Sequence, residues 1–128
     1  MLHYSGSFTM SKVIEKFETE MKRGVMQLGV ISLLDEEQYG YEIIKNLDKV
    51  GLNVEEGTLY PILRRLEKEG LLSSRWETSG SRPRKYYITT NYGRKIRIKW
   101  LNSYKTLIKS IKLLENNVQD KGGLIDVQ

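Results

Sequence analysis

Residues 57–70 read GTLYPILRRLEKEG, and residues 81–90 read SRPRKYYITT. Wound at about 100° per residue, the first stretch places Leu59, Ile62, Leu63 and Leu66 on one side of a helix. Pro61, Arg64, Arg65 and Lys68 fall opposite, with Thr58 and Tyr60 on the flanks. Leu71–Thr78 and Lys85–Thr90 then read as two short strands, the second rich in Tyr, Ile and Thr. They are separated at Ser79-Gly80-Ser81, with Arg82, Arg84 and Lys85 around the tip and Pro83 stiffening it. A basic helix beside a basic hairpin is an arrangement that grips DNA. The helix suits the major groove, where side chains such as Arg read base edges. The tip suits a minor groove or flanking phosphates. The plainer alternatives are an amphipathic helix with a solvated face and a turn kept polar against aggregation. Two adjacent basic elements favour the first reading.

Upstream, Lys12–Leu34 reads as a helix with Ile14, Phe17, Met21, Val25, Leu28 and Ile31 on one stripe. Gly24 and Gly29 weaken it, so a break near Lys22-Arg23-Gly24 is an alternative. Asp35-Glu36-Glu37 reads as a short loop. Tyr39–Val50 reads as a second helix with Ile43, Ile44, Leu47 and Val50 inward, ended by Gly51. The third helix starts near Asn53, which has capping-box spacing to Glu56, and stops at Gly70. Pro61 conflicts with that start: either the helix bends or it begins near Thr58.

Downstream, residues 91–120 read as one long helix. Trp100, Tyr104, Leu107, Ile111, Leu114 and Val118 form a heptad seam, broadened by Leu101 and Ile108. Such a seam calls for cover, from the N-terminal stripe, from a second copy, or from both. Trp100 and Tyr104 lie one turn apart and could wall an effector pocket at a dimer centre, although interface core is the simpler role. The expected fold is mainly α: a winged helix-turn-helix over residues 12–90 with a three-helix core and a two-stranded β wing. A dimerisation helix follows at 91–120. Residues 1–11 read as a flexible extension and 121–128 as a flexible tail.

Charge follows the same division. The net charge is +5, but residues 1–53 carry −2, residues 54–100 carry +6 and residues 101–128 carry +1. A localised basic face suits a polyanion partner, and beside this helix and hairpin that partner is double-stranded DNA. Tyr41, Tyr39 and the Lys22-Arg23 pair are lesser candidates for phosphate contact. The chain has no cysteine and one histidine, His3, which removes thiolate and His-based catalysis or metal binding. There is no Walker loop and no GxSxG, so no enzyme and no cofactor is expected. Nor is there a membrane span or secretory signal, which points to the cytoplasm.

GTLYPILRRLEKEGLL, with RPRKYYITT after it and YGYEIIKNL before it, resembles the PadR family of bacterial transcriptional regulators across about Met21–Leu114. The resemblance implies a homodimeric winged-helix repressor of the short branch, joined through its C-terminal helix. It puts Thr58, Tyr60 and Arg64 or Arg65 on the recognition helix, Arg82, Arg84 and Lys85 in the wing, and Tyr41 near the DNA backbone. Drug-responsive members hold flat aromatic ligands between tryptophans of the C-terminal helices. Counted from Tyr87, that position falls on Tyr104, with Trp100 one turn earlier. The pocket is then altered, shifted to Trp100, or absent. The competing reading is a dimeric winged-helix adaptor that binds protein and not DNA.

Overall fold

The computed structural model describes residues 8–126. The chain runs α1 (Met10–Leu33), β1 (Gln38–Tyr39), α2 (Gly40–Lys49), α3 (Glu56–Lys68), β2 (Leu72–Glu77), β3 (Arg84–Thr89) and α4 (Asn91–Asp126). The strands form one antiparallel sheet in the order β1-β3-β2. This is a winged helix: three helices around a core, a β2–β3 wing, and a long helix leaving the sheet.

The core lies where α1, α2 and α3 meet the sheet. Met26, Val30, Ile31 and Leu34 meet Ile43 and Leu47 of α2, Leu59, Leu63 and Leu66 of α3, and Leu71, Leu72 and Tyr87. Each such burial stabilises by about 1.5–3 kcal/mol. That explains how α3 continues through Pro61, whose ring removes one helical bond at a cost of about 3 kcal/mol. The helix begins at Glu56 with Glu55 as its N-cap, at neither of the two starts read from sequence. Asn53 therefore does not cap it.

The glycine stops are where the sequence puts them. Gly51 and Gly70 have φ of +85° and +82°, a region closed to most side chains. Both helix ends close in the same way. Leu52 N–H donates to the Leu47 carbonyl and Gly51 N–H to Asp48, while Leu71 donates to Leu66 and Gly70 to Glu67.

Several expectations need correction. Helix α1 is one continuous helix through Gly24, as the main reading has it, but it begins at Met10, with the Thr9 hydroxyl accepting from Lys12 N–H, so it takes in the end of the anticipated extension. Its Ile14, Phe17 and Met21 are exposed, because among the described residues nothing covers them. Val50 is also exposed, having passed beyond the last turn of α2. The segment after Glu37 is partly a strand: Gln38 pairs with Tyr87 and Tyr39 with Tyr86, so the wing hairpin gains a third strand. Helix α4 runs past Asp120 through Gly122-Gly123 to Asp126.

The end of α1 is tied down from two sides. Thr89 N–H donates to the Leu34 carbonyl at 2.8 Å, and its hydroxyl donates to the Ile31 carbonyl at 2.9 Å. These bonds satisfy carbonyls that a helix end leaves orphaned. Arg97 of α4 also reaches the Ile31 carbonyl, at 3.2 Å, and Asp35, at 2.8 Å. Gly93 lets the first turn of α4 lie directly against the Leu71 backbone.

Candidate nucleic-acid interface

With Leu59, Leu63 and Leu66 buried, the outward arc of α3 is fixed. Thr58, Pro61, Arg64, Arg65 and Lys68 are exposed on it. Tyr60 is half-buried and leans over the start of α2, where a Cβ on Gly40 would meet its hydroxyl at 2.1 Å. Burial, then Glu56 and Tyr87, push the Tyr60 phenol above its ordinary value, so it stays protonated and can donate.

Strand alternation sorts the wing. On β3, Tyr87 and Thr89 face the core, so Lys85 shares that inner face while Arg84 and Tyr86 take the outer one. Lys85 is half-buried, pairing with Glu67 of α3 at 3.5 Å and lying over the Tyr87 ring at 5.4 Å. Ser74 of β2 donates to the same Glu67. Lys85 therefore points back toward α3, while Arg82 and Arg84 stay exposed.

On the outer face, Arg84 lies 4.5 Å over the Tyr39 ring, Tyr39 meets Tyr86 edge-on at 5.4 Å, and Arg75 lies 5.0 Å from the Tyr86 centroid. Arg75 also donates through Nε to Glu37 at 2.9 Å and pairs with Glu77. Its hydrogen bonds hold the Glu37 carboxyl below the usual range, and Glu37 in turn raises the Arg75 guanidinium. Glu77 is lowered too, first by the Ser79 hydroxyl and amide and then by Arg75. Arg75, Glu37 and Trp76, the last 62% exposed on the wing, do not stand out in the sequence as candidates for this face. Hairpin alternation was the available signal, because it aligns Arg75 with Tyr86 once the turn length is known.

Two clefts flank α3. One, of about 560 Å³, lies toward the wing and is lined by Tyr39, Tyr41, Tyr60, Trp76, Arg82 and Lys85 among others. The other, of about 850 Å³, lies toward α1 and includes Thr58 and Arg65. Tyr41, 62% exposed, lines both. Of the nine DNA-facing residues read from sequence, Tyr41, Tyr60, Arg82, Arg84 and Lys85 share the wing cleft, and Thr58 and Arg65 share the second with Tyr41. Arg64 and Lys68 stand on the arc of α3 outside both.

The second group of residues lies away from this face. Trp100 packs against the core of its own chain. Leu101, Tyr104, Leu107, Ile108 and Ile111 are exposed along α4, as are Leu114 and Val118. Among the described residues, no cluster of His, Cys, Asp or Glu could hold a metal, and no helix is long and apolar enough to cross a membrane.

A three-helix core, a hairpin wing and a cationic third helix define a winged helix-turn-helix protein. The transcriptional regulator PadR-like family matches residues 30–98. A transcriptional regulator of Mycobacterium tuberculosis is 37% identical over 76 residues, covering 59% of this chain and 71% of the relative. Among solved structures, a PadR family transcriptional regulator from Eggerthella lenta is 40% identical with a TM-score of 0.77, over 82% of this chain and 95% of that one. A PadR-like transcription factor from Bacteroides fragilis is 35% identical with a TM-score of 0.65, over 77% and 98%. The chain belongs to the PadR-like family of transcriptional regulators.

Proposed function

We propose that this chain is a sequence-specific DNA-binding repressor. It works as a homodimer and lets go of its operator when a ligand or other signal acts at the dimer interface. The observation that carries this reading is the convergence of α3 and the wing. Thr58, Arg64, Arg65 and Lys68 are exposed on the outward arc of α3, and on its wing side Glu56 and Tyr60 line a cleft shared with Arg82 and Arg84. Lysines and arginines arranged this way neutralise phosphates, while Arg on a groove-fitting helix can also read guanine.

Dimerisation is supported by the apolar run on α4. Leu107, Ile111, Leu114 and Val118 are each 59–67% exposed, a face that a second copy would cover. Two recognition helices about 34 Å apart would then meet successive major grooves. Tyr104 and Leu101, beside the core-packed Trp100, are where an apolar or aromatic effector would bear on the spacing of those helices. The same reading makes the protein a non-enzymatic, cytoplasmic regulator.

Fluorescence anisotropy on DNA from upstream of its own gene, against scrambled DNA over a salt series, tests it. Binding should be selective and fall steeply with salt. Arg64→Glu should weaken it on the order of 100-fold, combining a lost contact with a repelled phosphate. Sedimentation should show that variant still dimeric. A folded dimer that binds neither DNA at low salt would instead be a protein-interaction adaptor.

A further inference from the structure

A helix lying in a major groove has a phosphate backbone on each side, because the groove is only about 12 Å wide. The wing cleft accounts for one side of α3. The larger cleft lies on the other, between α1, α2 and the start of α3. Its floor is apolar, with Met26, Ile44, Val54 and Ile62. Lys22 and Arg23 from α1, Lys45 from α2 and Arg65 from α3 also line it, together with Asp48 and Glu55. All four cations are exposed, and none is among the ion pairs of the described residues, whose carboxylates engage Arg75, Lys85, Arg94 and Arg97 instead. Tyr41, one helical turn before Lys45, joins this cleft to the wing cleft.

We infer that Lys22, Arg23 and Lys45 form a third DNA-contacting element, which holds the phosphate backbone on the side of α3 opposite the wing. The inference rests on the DNA-binding reading above and extends it to α1, which becomes part of the DNA-binding surface as well as a core helix. The wing grips one strand and the α1–α2 cations grip the other, so α3 is held in register from both sides. These contacts go to phosphate and carry no base information, so they set affinity and not sequence preference.

The test is the triple variant Lys22→Gln, Arg23→Gln, Lys45→Gln, which keeps good helix formers at three exposed positions. Log affinity plotted against log salt should be shallower than wild type by about 2.7 per half-site, three phosphates at ~0.9 each. The ratio of operator to scrambled affinity should stay near that of wild type when both DNAs are measured at one salt concentration. Ethylation interference should lose phosphates on one side of the groove, while Arg82→Gln with Arg84→Gln should lose those on the other. A triple variant with the wild-type slope and interference pattern overturns the inference and leaves the DNA-binding reading intact. A wild-type protein that binds no DNA overturns both. If the variant keeps its DNA slope but loses calorimetric binding of salicylate seen in wild type, the cleft holds small anions and the inference is again wrong.

Discussion

Gly93→Ala puts one methyl group where the fold has no room for it. A Cβ at Gly93 would sit 2.2 Å from the Leu71 carbonyl oxygen, 3.1 Å from its carbon and 2.8 Å from the Thr89 Cγ2. Carbon atoms in contact prefer about 3.5–4.0 Å, so roughly 1 Å must open between α4 and the α3–β2 junction. The obstacle is backbone and cannot swing aside. It is also engaged, since the Leu71 carbonyl accepts from Thr90 N–H at 3.0 Å, next to the Gly70 carbonyl, which accepts from the Thr90 hydroxyl at 2.7 Å. That hydroxyl in turn accepts from Gly93 N–H at 2.9 Å. Overpacking costs about 1–3 kcal/mol, and a weakened hydrogen bond adds about 1. The helix preference of Ala over Gly returns at most about 1 kcal/mol. The net loss is about 1–3 kcal/mol, which lowers Tm by roughly 4–12 °C in a chain of this size. Circular dichroism melts and urea midpoints, run at one fixed protein concentration, read it directly. A Gly93→Ala protein melting within about 2 °C of wild type would refute the close approach of α4 to Leu71.

Gly24→Ala should do the opposite: a Cβ there meets nothing within 4 Å, the residue is exposed in α1, and stability should rise by up to about 1 kcal/mol in the same melts. Asp35 predicts a pH dependence. Its carboxyl is held below the ordinary value, first by the hydrogen bond from Arg97 and further by Arg94, so its contribution is complete above the unfolded value of about 3.9 and is lost as pH falls through the folded one. The Tm difference between wild type and Asp35→Asn should therefore shrink between about pH 6 and about pH 3, and a constant difference would count against the pairing.

The sequence made local features legible. Gly51 and Gly70 stop helices because each must accept a positive φ, and a φ preference belongs to one residue. The inward stripe of α3 was visible because its leucines recur at helical spacing. Features that depend on partners far along the chain were not. Strand β1 is two residues long and exists only because Tyr86 and Tyr87 lie beside it. Asp35 lies in an apparent loop, yet it pairs with Arg97 more than sixty positions away. The apolar stripe of α1 read from sequence shares Ile31 with the buried face, but Met26 and Val30 are buried there while Val25 and Leu28 are half-buried and Ile14, Phe17 and Met21 are exposed. Among the interface residues, Lys85 was grouped with the arginines of the tip by proximity in sequence. Strand alternation separates them, sending Lys85 inward to Glu67 and Arg84 outward to Tyr39.

The turn after α1 links two elements that lie far apart in the chain. Asp35 grips α4 through Arg97 and Arg94, and Glu37 grips the wing through Arg75, with only Glu36 between them. A tilt of α4 that kept its ion pairs would pull on this short acidic segment and, through Glu37 and Arg75, on the wing. Because these grips are ionic and exposed, salt loosens the link as well as the hold on any polyanion. Ionic strength would then reach the wing by two routes, one through the partner and one through the turn.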